Sequence, residues 1–115
     1  LRNKDEGFLS VIAEDAQIAR IDALLDAEMR TFKADTRMRS GSLAAFAKAR
    51  IRPRPVTVNF SGGLVNRCFS VTRTDGDYRV IYMPKADYFA LCVESVFGPL
   101  DIGVHGDAIA CHSSV

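Results

Sequence analysis

Long apolar runs are absent from this chain of 115 residues. No stretch approaches the ~20 residues that a bilayer-spanning helix needs, so no membrane association is expected. The opening LRNKDEGFL has no apolar stretch of the signal-peptide kind, and it does not begin with Met, as a processed or cut native start would not. Cysteine is sparse: Cys68, Cys92 and Cys111 make an odd set without CxxC spacing. That argues against a secreted disulfide framework and against a thiolate zinc knuckle, and it predicts reduced thiols in a cytoplasmic protein. A dominant charge is missing too. Fifteen basic and 14 acidic residues leave a formal charge of +1, which excludes a chain built as a whole to coat nucleic acid or membrane. The Gly-rich SGGLVN matches neither a phosphate loop nor a dinucleotide fingerprint and reads as a flexible connector. No internal repeat or low-complexity segment is present, and no cofactor or metal is expected.

The neutral total conceals zoning. Arg30 to Arg54 holds eight basic residues (Arg30, Lys33, Arg37, Arg39, Lys48, Arg50, Arg52, Arg54) against Asp35 alone. The 29 residues before it carry three basic and seven acidic side chains, and residues 55 to 115 carry four and six. A solvated cluster that offsets a helix dipole explains the basic zone economically. The functional alternative is an acidic protein surface or nucleic acid, although Phe32 and Phe46 are core candidates and no stacking platform is apparent.

The organisation changes once along the chain. Residues 5 to 50 contain no Pro and only Gly7 and Gly41, which is helix composition. IRPRPV then removes backbone donors and pushes Arg52 and Arg54 towards extended geometry. A first helix is predicted from about Phe8 to Lys33, with Val11, Ile18, Ile21, Leu25, Met29 and Phe32 on one stripe. Phe8, Leu9, Ile12, Ala16 and Ala19 fall on a second apolar face. That face is either covered within the fold or offered to another subunit or partner. A short second helix is expected from about Leu43 to Arg50, capped by Ser40 or Ser42.

Residues beyond the prolines read as a meander of strands. An Asp75-Gly76 turn sets Phe69 opposite Tyr82 and Val71 opposite Val80. YFALCVESVF alternates, with Phe89, Leu91, Val93 and Phe97 on the core face and Tyr88, Cys92 and Glu94 opposite. Leu100, Ile102 and Val104 are expected inwards, and a last strand brings in Ile109 and Cys111. The fold class predicted is α+β: a long and a short helix packed on one face of a mainly antiparallel sheet of about five or six strands. We expect a single compact domain over 1–115, helical over about 5–51 and sheet over about 55–115.

DIGVHGDAIACHSSV gathers the side chains best suited to chemistry. With Gly106-Asp107 as a two-residue loop, Asp101 faces His112. With Gly98-Pro99 as another, Cys92 faces His105 on the same outer sheet surface. A thiol beside an imidazole is the minimum for an activated nucleophile. Asp101 and His105 lie four residues apart, roughly 13 Å at about 3.3 Å per residue, so no single triad or metal cage is predicted. Cys92, His105, Asp101 and His112 are therefore weak catalytic candidates. The sequence favours a non-enzymatic binding or regulatory module acting through protein contacts, as a homodimer or on another protein. Phe8, Leu9, Ile12, Arg37, Arg39, Lys48, Arg50, Arg52 and Arg54 are its candidate contacts. A small enzyme using the outer sheet face and a nucleic-acid accessory protein using Arg30–Arg54 are the alternatives.

Overall fold

A computed structural model describes residues 4–74 and 76–115, and for residues 4–6, 8 and 9 their backbone only. Two helices come first, α1 (Lys4–Thr31) and α2 (Arg37–Ala49). Five strands follow: β1 (Arg50–Phe60), β2 (Leu64–Thr72), β3 (Tyr78–Met83), β4 (Tyr88–Ser95) and β5 (Gly98–Gly106). A short helix, α3 (Ala108–Ser113), ends the chain. This is the α+β class read from the sequence, with five mainly antiparallel strands. None of the helices is long and apolar enough to cross a membrane among the described residues.

The strands do not stay an open sheet. Each pairs antiparallel with its successor, and β5 meets β1 in parallel at Leu100 opposite Asn59, which closes a barrel. Closure gives the sheet two buried faces. Phe69, Val71, Val80, Tyr82, Phe89 and Leu91 point outwards and pack under Ile18, Ile21 and Leu25 of α1, Phe46 of α2 and Ile109 of α3. Val58, Cys68, Ile81, Met83, Ala90 and Cys92 alternate with them and fill the lumen. The surface expected to be an outer face carrying Cys92 is thus the inside of the barrel. The prolines sit near the start of β1: Pro53 falls in the register shift between Arg50 and Arg54, and Pro55 is the second residue of the run paired with β2.

Several local expectations shift. Helix α2 begins earlier than Ser40 or Ser42 would place it, because Thr36 takes the cap and its Oγ1 accepts from Arg39 N–H at 3.1 Å. Phe69 does face Tyr82, while Asp75 of the expected turn lies outside the described residues. Leu100 and Ile102 are exposed at 38% and 43%, not core residues. The last strand is a helix. Glu28 of α1 accepts from the N–H groups of Ala108 and Ile109 at 2.8 and 2.7 Å, supplying from 80 residues away the cap that Asp107 does not.

Candidate functional site

The Gly106-Asp107 hairpin does not form, so Asp101 and His112 never meet. His112 instead sits on α3 with its ring edge-on to Phe46 at 5.7 Å, and burial lowers its pKa. The assumed β4–β5 loop also shifts. Ser95 pairs with Gly98, leaving Val96 and Phe97 as the tip, and Cys92 comes opposite Asp101 while Ala90 takes His105. Neither Asp101–His112 nor Cys92–His105 is therefore a pair.

A different pair takes their place. Between Leu91–Val104 and Cys92–Asp101 the ladder slips, leaving Ile102 and Gly103 as extra residues on β5, with Gly103 at φ 82°. This bulge contracts the strand and turns Asp101 and His105 to the same side. His105 Nε2 lies 3.0 Å from Asp101 Oδ1 and 3.1 Å from Oδ2. Tyr88 stacks on the imidazole, with ring centroids 4.2 Å apart. Extended-strand spacing had set these groups far apart, and the bulge removes that separation.

Behind Asp101 lie the thiols, and their chemistry is unfavourable. Burial, then the Asp101 carboxylate, pushes Cys92 up to about 12 and Cys68 up to about 11. Cys111 is pushed up to about 11 by burial and then by the charge of Glu28. All three are free and buried. A thiol so far from ionisation is no nucleophile at neutral pH. Among the described residues no group of three His, Cys, Asp or Glu side chains is arranged to hold a metal ion.

The charge zones fold onto one another. Arg50 bridges Asp26 at 2.7 Å and Asp22 at 3.2 Å, Arg52 reaches Asp15 at 3.6 Å, and Arg67 of β2 meets Glu14 at 2.9 Å. Arg39 pairs with Asp35 and lies over the Phe32 ring at 4.5 Å. Acidic α1 thus engages Arg50 and Arg52 of the basic zone. Arg37, Lys48 and Arg54 make no ion pair among the described residues.

Among the described residues, exposed apolar side chains include two groups of note. On α1, Val11 and Ile12 are 59% and 47% exposed, whereas the side chains of Phe8 and Leu9 lie outside the described residues. The larger patch was missed by sequence reasoning. It centres on Asn59, which is paired with Val65 on one side and Leu100 on the other, and whose Nδ2 donates to Phe97 O at 2.9 Å. Leu64, Val65, Val96, Phe97, Leu100 and Ile102 are all exposed around it. Two apolar residues at the tip of a hairpin were the available signal.

On the α1 side of the barrel, Arg20 Nη1 donates to Tyr82 Oη at 2.7 Å and Tyr82 donates to Asp87, tying helix to strand ends. The Tyr82 hydrogen bond holds Asp87 below the usual carboxylate range. No family model, no curated protein and no solved structure matches the chain.

Proposed function

We propose that the protein is a non-enzymatic binding module that assembles with a second copy of itself through the barrel end around Asn59. The observation that carries this reading is the exposure of Leu64, Val65, Val96, Phe97, Leu100 and Ile102 around Asn59, with Phe97 at 85%. Exposed apolar surface of this kind characterises interfaces, and the six residues named carry no charge. An uncharged apolar patch is complementary to itself, which a two-fold dimer requires. The unpaired edge of β5 beyond Leu100 offers backbone groups at the rim.

Two observations weigh against the alternatives. Burial takes Cys92 out of nucleophilic chemistry, which removes the thiol from the enzyme reading and leaves it the Asp101–His105 pair. Arg39, Arg50 and Arg52 are engaged by carboxylates of the same chain, which reduces the charge left for nucleic acid. Three buried free thiols suit a reducing compartment, and the cytoplasm is the setting we propose.

Light scattering on two variants tests the patch. Phe97→Asp should convert the dimer to a folded monomer, because the side chain is solvent-exposed within one copy. Val11→Lys, on the α1 face, should leave the dimer intact. Dissociation by Val11→Lys with no effect of Phe97→Asp would overturn the assignment.

A further inference from the structure

The barrel has a second end, and its mouth is basic. On the lumen side, where β1 begins and β2 ends, Arg54, Arg73, Arg79, Ser70, Thr72 and Thr74 line a cavity of about 540 Å³. Among the described residues no carboxylate lines it. Arg79 is fixed in place by Glu94, with Nε and Nη2 on the two carboxylate oxygens. That fork holds the guanidinium in one orientation. Arg73 is anchored through Nη2 to Lys48 O at 2.8 Å. Arg54 makes no ion pair among the described residues and is exposed at the rim.

The hydroxyls are prepared as well. Thr72 is 2% exposed, and its Oγ1 accepts from Val80 N–H at 2.9 Å, which leaves its own proton to donate. That contact also explains the shape of the mouth: a side chain takes the place of a ladder acceptor, and the ends of β2 and β3 part around it. An adjoining hollow of about 290 Å³ shares Thr72, Arg73 and Arg79 with the cavity. Its lining also includes the apolar side chains of Tyr78, Leu91 and Val115, with His112 and the Asp77 carboxylate.

We infer that this mouth binds a small phosphate ester, its phosphoryl oxygens held by Arg54, Arg79 and the Thr72 hydroxyl and its organic body in the adjoining hollow. Guanidinium groups on separate strands suit an anion with several oxygens, and a planar carboxylate would use fewer of them. The apolar walls beyond Arg73 suit an organic body more than free phosphate. Arg54 belongs to the basic zone recognised in the sequence, and the fold gives it a role separate from Arg50 and Arg52, which face α1.

Calorimetric titration of the full chain tests this with phenyl phosphate, inorganic phosphate and a single-stranded oligonucleotide. Phenyl phosphate should bind, and inorganic phosphate should compete with it more weakly. Arg54→Gln should weaken phenyl phosphate binding about tenfold or more, the loss of one charge-assisted contact. Arg37→Gln, an exposed cation on α2, should leave it unchanged. Binding of phenyl phosphate that is absent, or equally reduced by both substitutions, would overturn the inference. So would an oligonucleotide that binds through Arg54 while phenyl phosphate fails to displace it.

Discussion

At the residue scale, the histidines separate two kinds of environment. His105 is held by Asp101 and stacked under Tyr88, while His112 is half-buried against Phe46 and has no carboxylate partner among the described residues. Burial lowers the His112 pKa below its unfolded value of about 6.5. The unfolded chain therefore takes up the proton first as pH falls. This contribution to stability is fully present above that unfolded value, and it is lost as pH falls through it towards the lowered folded value. Thermal melts from pH 8 to pH 5 should show wild type losing more stability than His112→Phe, which keeps an aromatic ring against Phe46. Parallel pH profiles of the two proteins would contradict the assignment.

The residues expected to converge were partly legible. Asp101, His105, Cys92 and His112 were singled out, but their partners depended on loop positions that composition does not fix. A shift of the β4–β5 tip moved Cys92 from His105 to Asp101. The burial of Cys92 was invisible for another reason: alternation distinguishes two sheet faces without saying that both are covered.

At the scale of elements, local patterning was sufficient wherever contacts are local. Ile18, Ile21 and Leu25 mark the buried side of α1, and Phe69 faces Tyr82 across β2–β3. It failed where a distant residue decides. IACHS carries an alternation compatible with a strand, yet Glu28 caps it as a helix. The β5 bulge likewise depends on one backbone position. Gly103 has φ 82° with open space where a Cβ would stand, so substitution there meets backbone strain and no clash. Gly103→Ala should cost about 1–2 kcal/mol in urea unfolding, from placing an L-residue in left-handed geometry. An equal or greater stability would show that the bulge relaxes without that conformation, and with it the support for the Asp101–His105 contact.

At the scale of the whole molecule, closure organises the rest. Bringing Leu100 beside Asn59 buries the lumen thiols and gathers two hairpin ends into one apolar patch. It also leaves the opposite mouth lined by Arg54, Arg73 and Arg79. Closure was beyond the reach of the sequence because it rests on a single parallel pairing between the first and last strands, which no periodicity records. The zoned charge has part of its explanation at this scale too: acidic α1 meets the start of β1 through Arg50 and Arg52.

Self-association through the Asn59 end is the account's central claim, and sedimentation velocity over a concentration series tests it most directly. The chain has a mass of 12.6 kDa. The account predicts a species of twice that mass whose population grows with concentration in wild type and disappears in Phe97→Asp. A sedimenting mass fixed at 12.6 kDa for wild type at every concentration would contradict it.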